Sequence, residues 1–137
     1  MKVHDIMTRK VETLKPTTSL RHAARKMSEF NIGSMPVVDD TNHLLGIITD
    51  RDISVYAIAM GHDPNSTEVQ KVMTKNVATC TANAELSTAA QIMEQQHIRR
   101  LAVIDNDLLC GLLSVDDLAR VSQHLAGAVL EAAIPVH

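Results

Sequence analysis

An internal duplication restricts the possible folds of this 137-residue chain more than any other feature of its sequence. Residues 3–27 realign with residues 69–93 at an offset of 66 positions. The identical pairs at that offset are Val3/Val69, Met7/Met73, Thr8/Thr74, Val11/Val77, Thr13/Thr79, Leu20/Leu86, Ala23/Ala89, Ala24/Ala90, Met27/Met93, Ile32/Ile98, Val37/Val103 and Asp39/Asp105. Beyond them an offset of 65 pairs Leu44/Leu109, Gly46/Gly111 and Asp52/Asp117. Such self-similarity predicts two copies of one structural unit, with a one-residue deletion in a loop.

Each repeat predicts the same order of elements, β-α-β-β-α. A helix with apolar residues spaced along one face follows a short strand, and Thr17 or Asn83 is its expected N-cap. Two apolar runs around a polar turn then predict a hairpin, and a second helix follows it. The predicted segments are strands Val11–Leu14, Met35–Val38 and Leu44–Ile48 with helix Asp50–Met60, then strands Val77–Cys80, Leu101–Ile104 and Leu108–Leu113 with helix Val115–Leu130.

The predicted fold class is therefore mixed α/β (α+β), with two repeats at residues 3–61 and 69–123. A unit of about 60 residues buries little surface alone, so we expect the two to pack as a pseudo-twofold pair. Turn-forming residues at 62–68 predict a linker. Residues 124–137 are predicted to form a C-terminal helical extension. Its apolar positions continue a face that runs from Leu118 to Ile134 and needs a partner, which predicts a homodimer with a helical interface.

Composition argues against several classes of partner. The net charge is −3, so no basic field attracts nucleic acid or an anionic membrane. With one Phe, one Tyr and no Trp, the chain has no aromatic platform on which bases could stack. It has no apolar run of about 18 residues, so we expect a cytoplasmic protein without a membrane partner. The motifs GxSxG, HExxH, GxxxxGK[ST] and GxGxxG do not occur, so we expect no catalytic residues and no enzyme activity.

The cysteines and histidines do not predict a metal site. Cys80 and Cys110 lie in apolar, strand-like segments without CxxC spacing, and the seven histidines are scattered. We expect two buried thiols, no bound metal and no essential disulfide. A disulfide or a metal is the alternative.

Two similar windows, GIITDRD at 46–52 and GLLSVDD at 111–117, lie where a strand gives way to a helix. Their hydroxyl residue and the Asp three positions later match a capping box, which is a purely structural role. The same groups can also bind a ligand, since helix N-termini attract phosphate and a carboxylate can accept both hydroxyls of a ribose. The two roles do not exclude each other.

These windows, with the segments IGSMPVVDD and IRRLAVIDN before the hairpins, resemble the CBS (cystathionine-β-synthase) domain pair. The resemblance extends from about Val3 to Ser122. It implies a non-catalytic regulatory module that needs no cofactor, binds an adenosine-containing ligand and signals to an unknown protein in trans. AMP, ADP or ATP is favoured over S-adenosylmethionine or NAD as the regulatory ligand. The alternative is a ligand-free scaffold for protein interaction or dimerisation.

The resemblance also implies two clefts. The first would use Thr49, Arg51, Asp52, Gly33 and Ser34, closed by Ala84, Ala89 and Ile98 of the other repeat. The second would use Ser114, Asp117, Arg99 and Arg100, closed by Thr18, Ala23 and Ile32. The clefts differ because Asp116 stands where the first repeat has Arg51, and a carboxylate repels phosphate. Arg99 and Arg100 either compensate for this or are solvated residues at a strand entrance.

Overall fold

A computed structural model describes residues 1–133. The chain forms two compact units. The first-repeat unit is Glu12–Val77, and the second-repeat unit joins Met1–Val11 to the chain from Ala78 onward. Both contain helices and strands, which confirms the mixed fold class.

The first-repeat unit contains an α-helix, a hairpin, a π-helix and the short 3-10 helix Val69–Lys71. Its elements are α1 (Leu20–Phe30), β1 (Ser34–Val38), β2 (Leu44–Thr49) and the π-helix Asp52–Ala57. The two strands pair antiparallel, as predicted, with an irregularity between Val37 and Val38. The buried core of this unit comprises Leu14, Leu20, Ala23, Met27, Met35, Val37, Ile48, Ala57 and Val69.

The predicted strand Val11–Leu14 is wrong, because it is reduced to a single parallel bridge between Leu14 and Val37. Val38 donates its N–H to Leu14 and Leu14 donates to Pro36. The next donor toward the start of β1 would be Pro36, which has no N–H. Ala102 holds the matching position in the second repeat, and there the parallel pairing extends over three residues, Thr79–Thr81.

Both helix N-caps predicted from the sequence are wrong. In α1 the cap is Ser19, whose Oγ accepts from the N–H of His22 at 3.1 Å, and not Thr17. The N–H groups of the first two helix residues, Leu20 and Arg21, donate to the carbonyls of Thr67 and Pro64 at 2.9 and 3.0 Å. The linker therefore completes the cap.

The described part of the second-repeat unit contains a three-stranded sheet, three α-helices and the short 3-10 helix Val3–Asp5. Its elements are β3 (Thr79–Thr81), α2 (Leu86–Gln96), β4 (Arg100–Asp105), β5 (Leu108–Ser114), α3 (Val115–Ala119) and α4 (Gln123–Ala133). The strand order is β3-β4-β5, with a parallel and then an antiparallel pair. Helix α2 follows Glu85 rather than the predicted cap Asn83, and the N–H of Leu86 donates to the carbonyl of Met1.

The single helix predicted over Val115–Leu130 is instead two helices, α3 and α4. Helix α3 ends at Ala119. Ser122 caps the start of α4, where its Oγ accepts from the N–H of Leu125 at 3.2 Å. A helix N-cap inside an apolar periodic pattern interrupts the helix without interrupting the pattern.

The apolar face that motivated the homodimer is partly covered within the chain. Ala126 and Val129 of α4 are buried together with Leu118, in the core of the second-repeat unit against α2 and α3. Within the described residues the chain itself therefore covers part of this face, while Val121 stays 43% exposed, and the homodimer stays a prediction. Ile134, the last position of the predicted face, and the rest of 134–137 lie outside the described residues.

The segment that begins each repeat in sequence packs onto the elements of the other repeat. In the second-repeat unit, Val3 donates to Ala84, and Thr8 and Leu112 exchange two backbone hydrogen bonds. In the first-repeat unit, Val69 likewise donates to Thr18, and Thr74 and Ile47 exchange two hydrogen bonds of 2.9 and 3.0 Å. The leading segments therefore add an extended stretch beside β2 and β5.

This close packing explains the glycine that starts each of the two windows. A Cβ on Gly46 would lie 2.6 Å from the carbonyl oxygen of Thr74 and 2.9 Å from Sδ of Met73. A Cβ on Gly111 would lie 2.6 Å from Sδ of Met7 and 2.9 Å from the carbonyl oxygen of Thr8. Only glycine leaves room for the incoming backbone at these positions.

Candidate functional site

The first candidate half-site lies at the end of β2. The backbone N–H of Thr49 donates to Oδ2 of Asp52 at 2.9 Å, and the N–H of Asp52 donates to Oγ1 of Thr49 at 3.0 Å. This is the reciprocal pattern of a capping box, so the structural role expected from the sequence is confirmed. Asp52 is 7% exposed.

The second half-site repeats this geometry at the end of β5. Ser114 donates its N–H to Oδ2 of Asp117 at 2.9 Å and accepts from the N–H of Asp117 at 3.1 Å. Asp117 is 6% exposed. In both repeats one carboxylate oxygen, Oδ2, holds the turn, which leaves Oδ1 for another partner.

The two Oδ1 atoms differ in their surroundings. Oδ1 of Asp117 accepts from Nη1 of Arg120 at 3.4 Å. Within residues 1–133, Oδ1 of Asp52 has no hydrogen-bond partner. Val55 occupies the position that matches Arg120, so the first repeat has no cation there. Asp52 is therefore the carboxylate with a free acceptor.

Two predicted residues of the first half-site, Gly33 and Ser34, lie beside this turn. The register of the hairpin pairs Ser34 with Thr49. The carbonyl of Gly33 accepts from the N–H of Asp50 at 2.9 Å. A Cβ on Gly33 would lie 3.2 Å from Oδ2 of Asp50, so glycine keeps this corner compact. The structure thus brings Gly33 and Ser34 together with Thr49 and Asp52.

Arg51 is exposed between the two residues of the capping box. Its backbone N–H donates to Oδ1 of Asp50 at 2.8 Å. In the part of the chain that the structure describes, its guanidinium group makes no hydrogen bond or ion pair. A guanidinium group without hydrogen-bond or ion-pair partners in the protein is available to bind an anionic ligand.

In the second half-site, the structure places Arg99 and Arg100 next to the capping box. Arg100 pairs with Ser114 in the register of β4 and β5. The carbonyl of Arg99 accepts from the N–H of Val115 at 2.9 Å. Both arginines are exposed, so their location agrees with the sequence interpretation and their role in binding stays a prediction.

The six residues expected to close the clefts have varied surroundings. The alanines Ala23 and Ala89 are fully buried in the cores of their units. The carbonyls of Thr18 and Ala84 accept from Val69 and Val3, respectively. The side chains of Ile32 and Ile98 are partly exposed. A role in ligand binding stays a prediction for all six.

Two features of the site were missed in the sequence. The contact between Arg120 and Asp117 has the i, i+3 spacing of a helix pair, which could have predicted it. A helix was predicted over Asp50–Met60, but the π-helical form of its segment Asp52–Ala57 had no recognisable signal. π-Helical turns occur often at functional sites, and this one starts at the Asp with the free oxygen.

Both cysteines are free thiols, Cys80 buried and Cys110 half-buried. Burial raises the pKa of Cys80 to about 11 and also raises the pKa of Cys110. Over the described part of the chain, no group of three His, Cys, Asp or Glu residues could hold a metal. None of the helices in residues 1–133 is long and apolar enough to span a membrane.

We expect both thiols to be free and the purified protein to contain no zinc. Thiol titration without reductant should count two thiols per unfolded chain. In the folded protein Cys80 should react slowly at pH 8, because little of its thiol is ionised at that pH. Cys110→Ser should remove the faster thiol. One equivalent of zinc in elemental analysis, or fewer than two thiols after unfolding, would contradict this prediction.

Sequence comparison matches both repeats to known proteins. The family model for the CBS domain matches residues 3–58 and 69–124. The CBS domain-containing protein YhcV of Bacillus subtilis is 38% identical over 130 residues, which are 93% of this chain and 91% of YhcV. A homoserine O-acetyltransferase of Methanohalobium evestigatum is 36% identical over 120 residues, but the match spans only 24% of that enzyme.

Solved structures agree with this match. Hypoxic Response Protein I, crystallised with two coordinated zinc ions, superposes with a TM-score of 0.82 at 32% identity, covering 89% of this chain and 99% of that one. CBSX2 in complex with AMP gives a TM-score of 0.76 at 27% identity, covering 87% and 93%. The CBS domain pair of MJ0100, in complex with 5'-methylthioadenosine and S-adenosyl-L-methionine, gives 0.78 at 29% identity, covering 88% and 94%.

The family match accounts for the duplication, because each matched range contains one repeat with its own hairpin and capping box. Since the two ranges together make up most of the sequence, the chain belongs to the CBS-domain family and contains two CBS domains in tandem.

Proposed function

We propose that this protein is a non-catalytic regulatory module that binds an adenosine-containing ligand and signals to a protein partner. The observation that carries the proposal is the turn at the end of β2. There, Asp52 holds the backbone with Oδ2, while within residues 1–133 its Oδ1 has no partner and the guanidinium group of the preceding residue, Arg51, is unpaired.

These two groups match the two polar parts of a nucleotide. A carboxylate oxygen can accept hydrogen bonds from the ribose hydroxyls, and a guanidinium group can donate to phosphate. The adenosine class is supported by CBSX2, which binds AMP, and by MJ0100, which binds methylthioadenosine and S-adenosylmethionine. Arg51 favours AMP, ADP or ATP over S-adenosylmethionine, whose sulfonium group carries a positive charge. NAD is less favoured than the mononucleotides.

The second half-site binds phosphate more weakly in this proposal. Asp116 replaces Arg51, and Oδ1 of Asp117 already accepts from Arg120. Arg99 and Arg100 are the cations on that side, and they lie on the strand rather than in the turn.

We further propose that the protein is cytoplasmic, works as a homodimer, requires no cofactor and reaches its target in trans. Support for a helical interface now comes from the first-repeat unit, where Val55, Tyr56, Ile58 and Met60 are exposed. Light scattering at micromolar concentration tests the dimer, and a monomer would contradict it. A ligand-free scaffold is the competing function.

Thermal unfolding distinguishes the nucleotide sensor from the scaffold. A ligand that binds the folded state raises its stability by mass action, by about 2.7 kcal/mol at a concentration 100-fold above Kd. We expect AMP, ADP or ATP to raise Tm, with GMP as the control for the base and ribose 5-phosphate as the control for the sugar. No shift and no calorimetric heat at millimolar concentration with any adenosyl ligand, including S-adenosylmethionine and NAD, would favour the scaffold.

A further inference from the structure

Helix α4 is an addition that the first repeat lacks within the described residues, and it lies against α2 and α3. Val129 is fully buried in this contact region and Ala126 nearly so. The effect of the added helix is visible on α2, because Ala90 is fully buried, whereas its repeat partner Ala24 on α1 is exposed. Docking of α4 therefore hides an apolar strip.

A polar contact fastens the C-terminal end of α4. Nδ1 of His97, at the end of α2, donates to the carbonyl oxygen of Ala132 at 2.8 Å. His97 adopts the left-handed conformation, with φ 55° and ψ 43°. Asn31 ends α1 in the same conformation without such a contact, so the backbone turn alone does not require a histidine. The imidazole ring is what reaches α4.

His97 also begins the segment that leads into the second half-site. The N–H of Ile98 donates to Met93 at 3.0 Å, which closes α2. The carbonyl of Arg99 then accepts from the first N–H of α3, and Arg100 pairs with Ser114. Four consecutive residues, 97–100, thus join α4, α2, α3 and the capping box of Ser114 and Asp117.

We propose that His97 couples ligand binding at this half-site to the docking of α4. This inference rests on the proposed function. A ligand that fixes Arg99 and Arg100 also fixes the backbone of His97, which favours the docked state of α4. By linkage, the docked helix must then strengthen ligand binding by the same factor. In the ligand-free protein α4 undocks more often, which exposes Ala126 and Val129.

Hydrogen exchange of the α4 amides in the full chain, with and without AMP, tests the coupling. AMP is added at a concentration at which calorimetry shows that both half-sites are saturated. In the wild-type protein, saturating AMP should slow exchange in α4 at least about fivefold, the lower end of typical coupling between sites. His97→Asn keeps a residue that tolerates the left-handed turn and removes the ring. It should speed exchange in the free protein about 2- to 13-fold, the factor for one hydrogen bond.

A purely structural role for His97 makes a different prediction. It would speed exchange in His97→Asn but leave the response to AMP intact. The coupling requires that AMP no longer slows exchange in α4 of the His97→Asn protein. It also requires that the affinity of the second half-site for AMP falls by the factor by which AMP slows that exchange in the wild type. His97→Gly, which also suits the turn, should reproduce the result if His97→Asn folds poorly. His124→Asn, an exposed histidine on α4 itself, is the control that should change nothing.

The outcomes separate this inference from the proposed function. If calorimetry shows AMP binding at both half-sites while exchange in wild-type α4 is unchanged, the coupling is wrong and the sensor function stands. If neither AMP nor any other adenosyl ligand binds, both are wrong. If AMP speeds exchange in α4, the ligand releases the helix instead of docking it and the proposal is overturned as stated.

Discussion

Replacing Gly46 by alanine should lower the free energy of unfolding by about 2–3 kcal/mol, as overpacking in a close-packed region does. The added Cβ would lie 2.6 Å from the carbonyl oxygen of Thr74. That oxygen belongs to a backbone that Ile47 and Thr74 tie together by two hydrogen bonds, so it cannot rotate away. Gly111→Ala should cost less, because its nearest neighbour is the flexible end of Met7.

Gly127→Ala is the matched control. Gly127 lies inside α4, and a Cβ there would meet nothing within 4 Å. The same change should therefore stabilise the helix by up to about 1 kcal/mol. Urea unfolding of the three variants measures the differences. A Gly46→Ala protein within about 0.5 kcal/mol of the wild type would show that the leading segment is not held against β2 as the structure indicates.

The importance of Gly46 and Gly111 was visible in the sequence, but its physical reason was not. Both glycines start the windows that suggested a ligand site. Their own role is to admit Thr74 and Thr8, which precede or follow them by many residues. Hydrophobic patterning describes one element and its nearest partner, so it could not predict that the leading segments pack on the other repeat.

Local signals predicted the local structure. The hairpins followed from paired apolar runs, and both capping boxes followed from a hydroxyl residue with Asp three positions later. Errors arose where one residue changed the outcome. Pro36 removed a donor and with it the first predicted strand, and Ser122 divided one predicted helix into two.

In the candidate half-sites, too, the sequence predicted local neighbours better than it predicted differences caused by single residues. Residues joined by a short turn, such as Thr49 with Asp52, or by hairpin register, such as Arg100 with Ser114, lie together as expected. The difference between the two aspartates depends on a neighbouring helix position, which is Val55 in one repeat and Arg120 in the other. The spacing of Arg120 and Asp117 was visible in the sequence, but only the structure shows that Arg120 contacts Oδ1.

Single alanine variants should show that the two half-sites are unequal. Arg51→Ala or Asp52→Ala should weaken AMP binding at the first half-site roughly 10- to 150-fold, because a hydrogen bond to a charged group contributes about 1.5–3 kcal/mol. Asp117→Ala should weaken binding less, since Oδ1 of Asp117 already accepts from Arg120. Arg25→Ala removes an exposed arginine of α1 and serves as the control that leaves affinity unchanged.

Stability separates this account from a purely structural role of the turn. Asp52→Ala removes Oδ2 from the capping box, so it should cost about 1 kcal/mol of stability on either account. Arg51→Ala is the decisive variant, because its guanidinium group has no partner in residues 1–133 and its loss should leave unfolding unchanged. Calorimetry with AMP and urea unfolding of the same samples measure both quantities. If Arg51→Ala binds AMP as tightly as the wild type, phosphate is held elsewhere and the assignment of Arg51 is wrong. If its affinity falls while its stability does not, the arginine acts on the ligand alone.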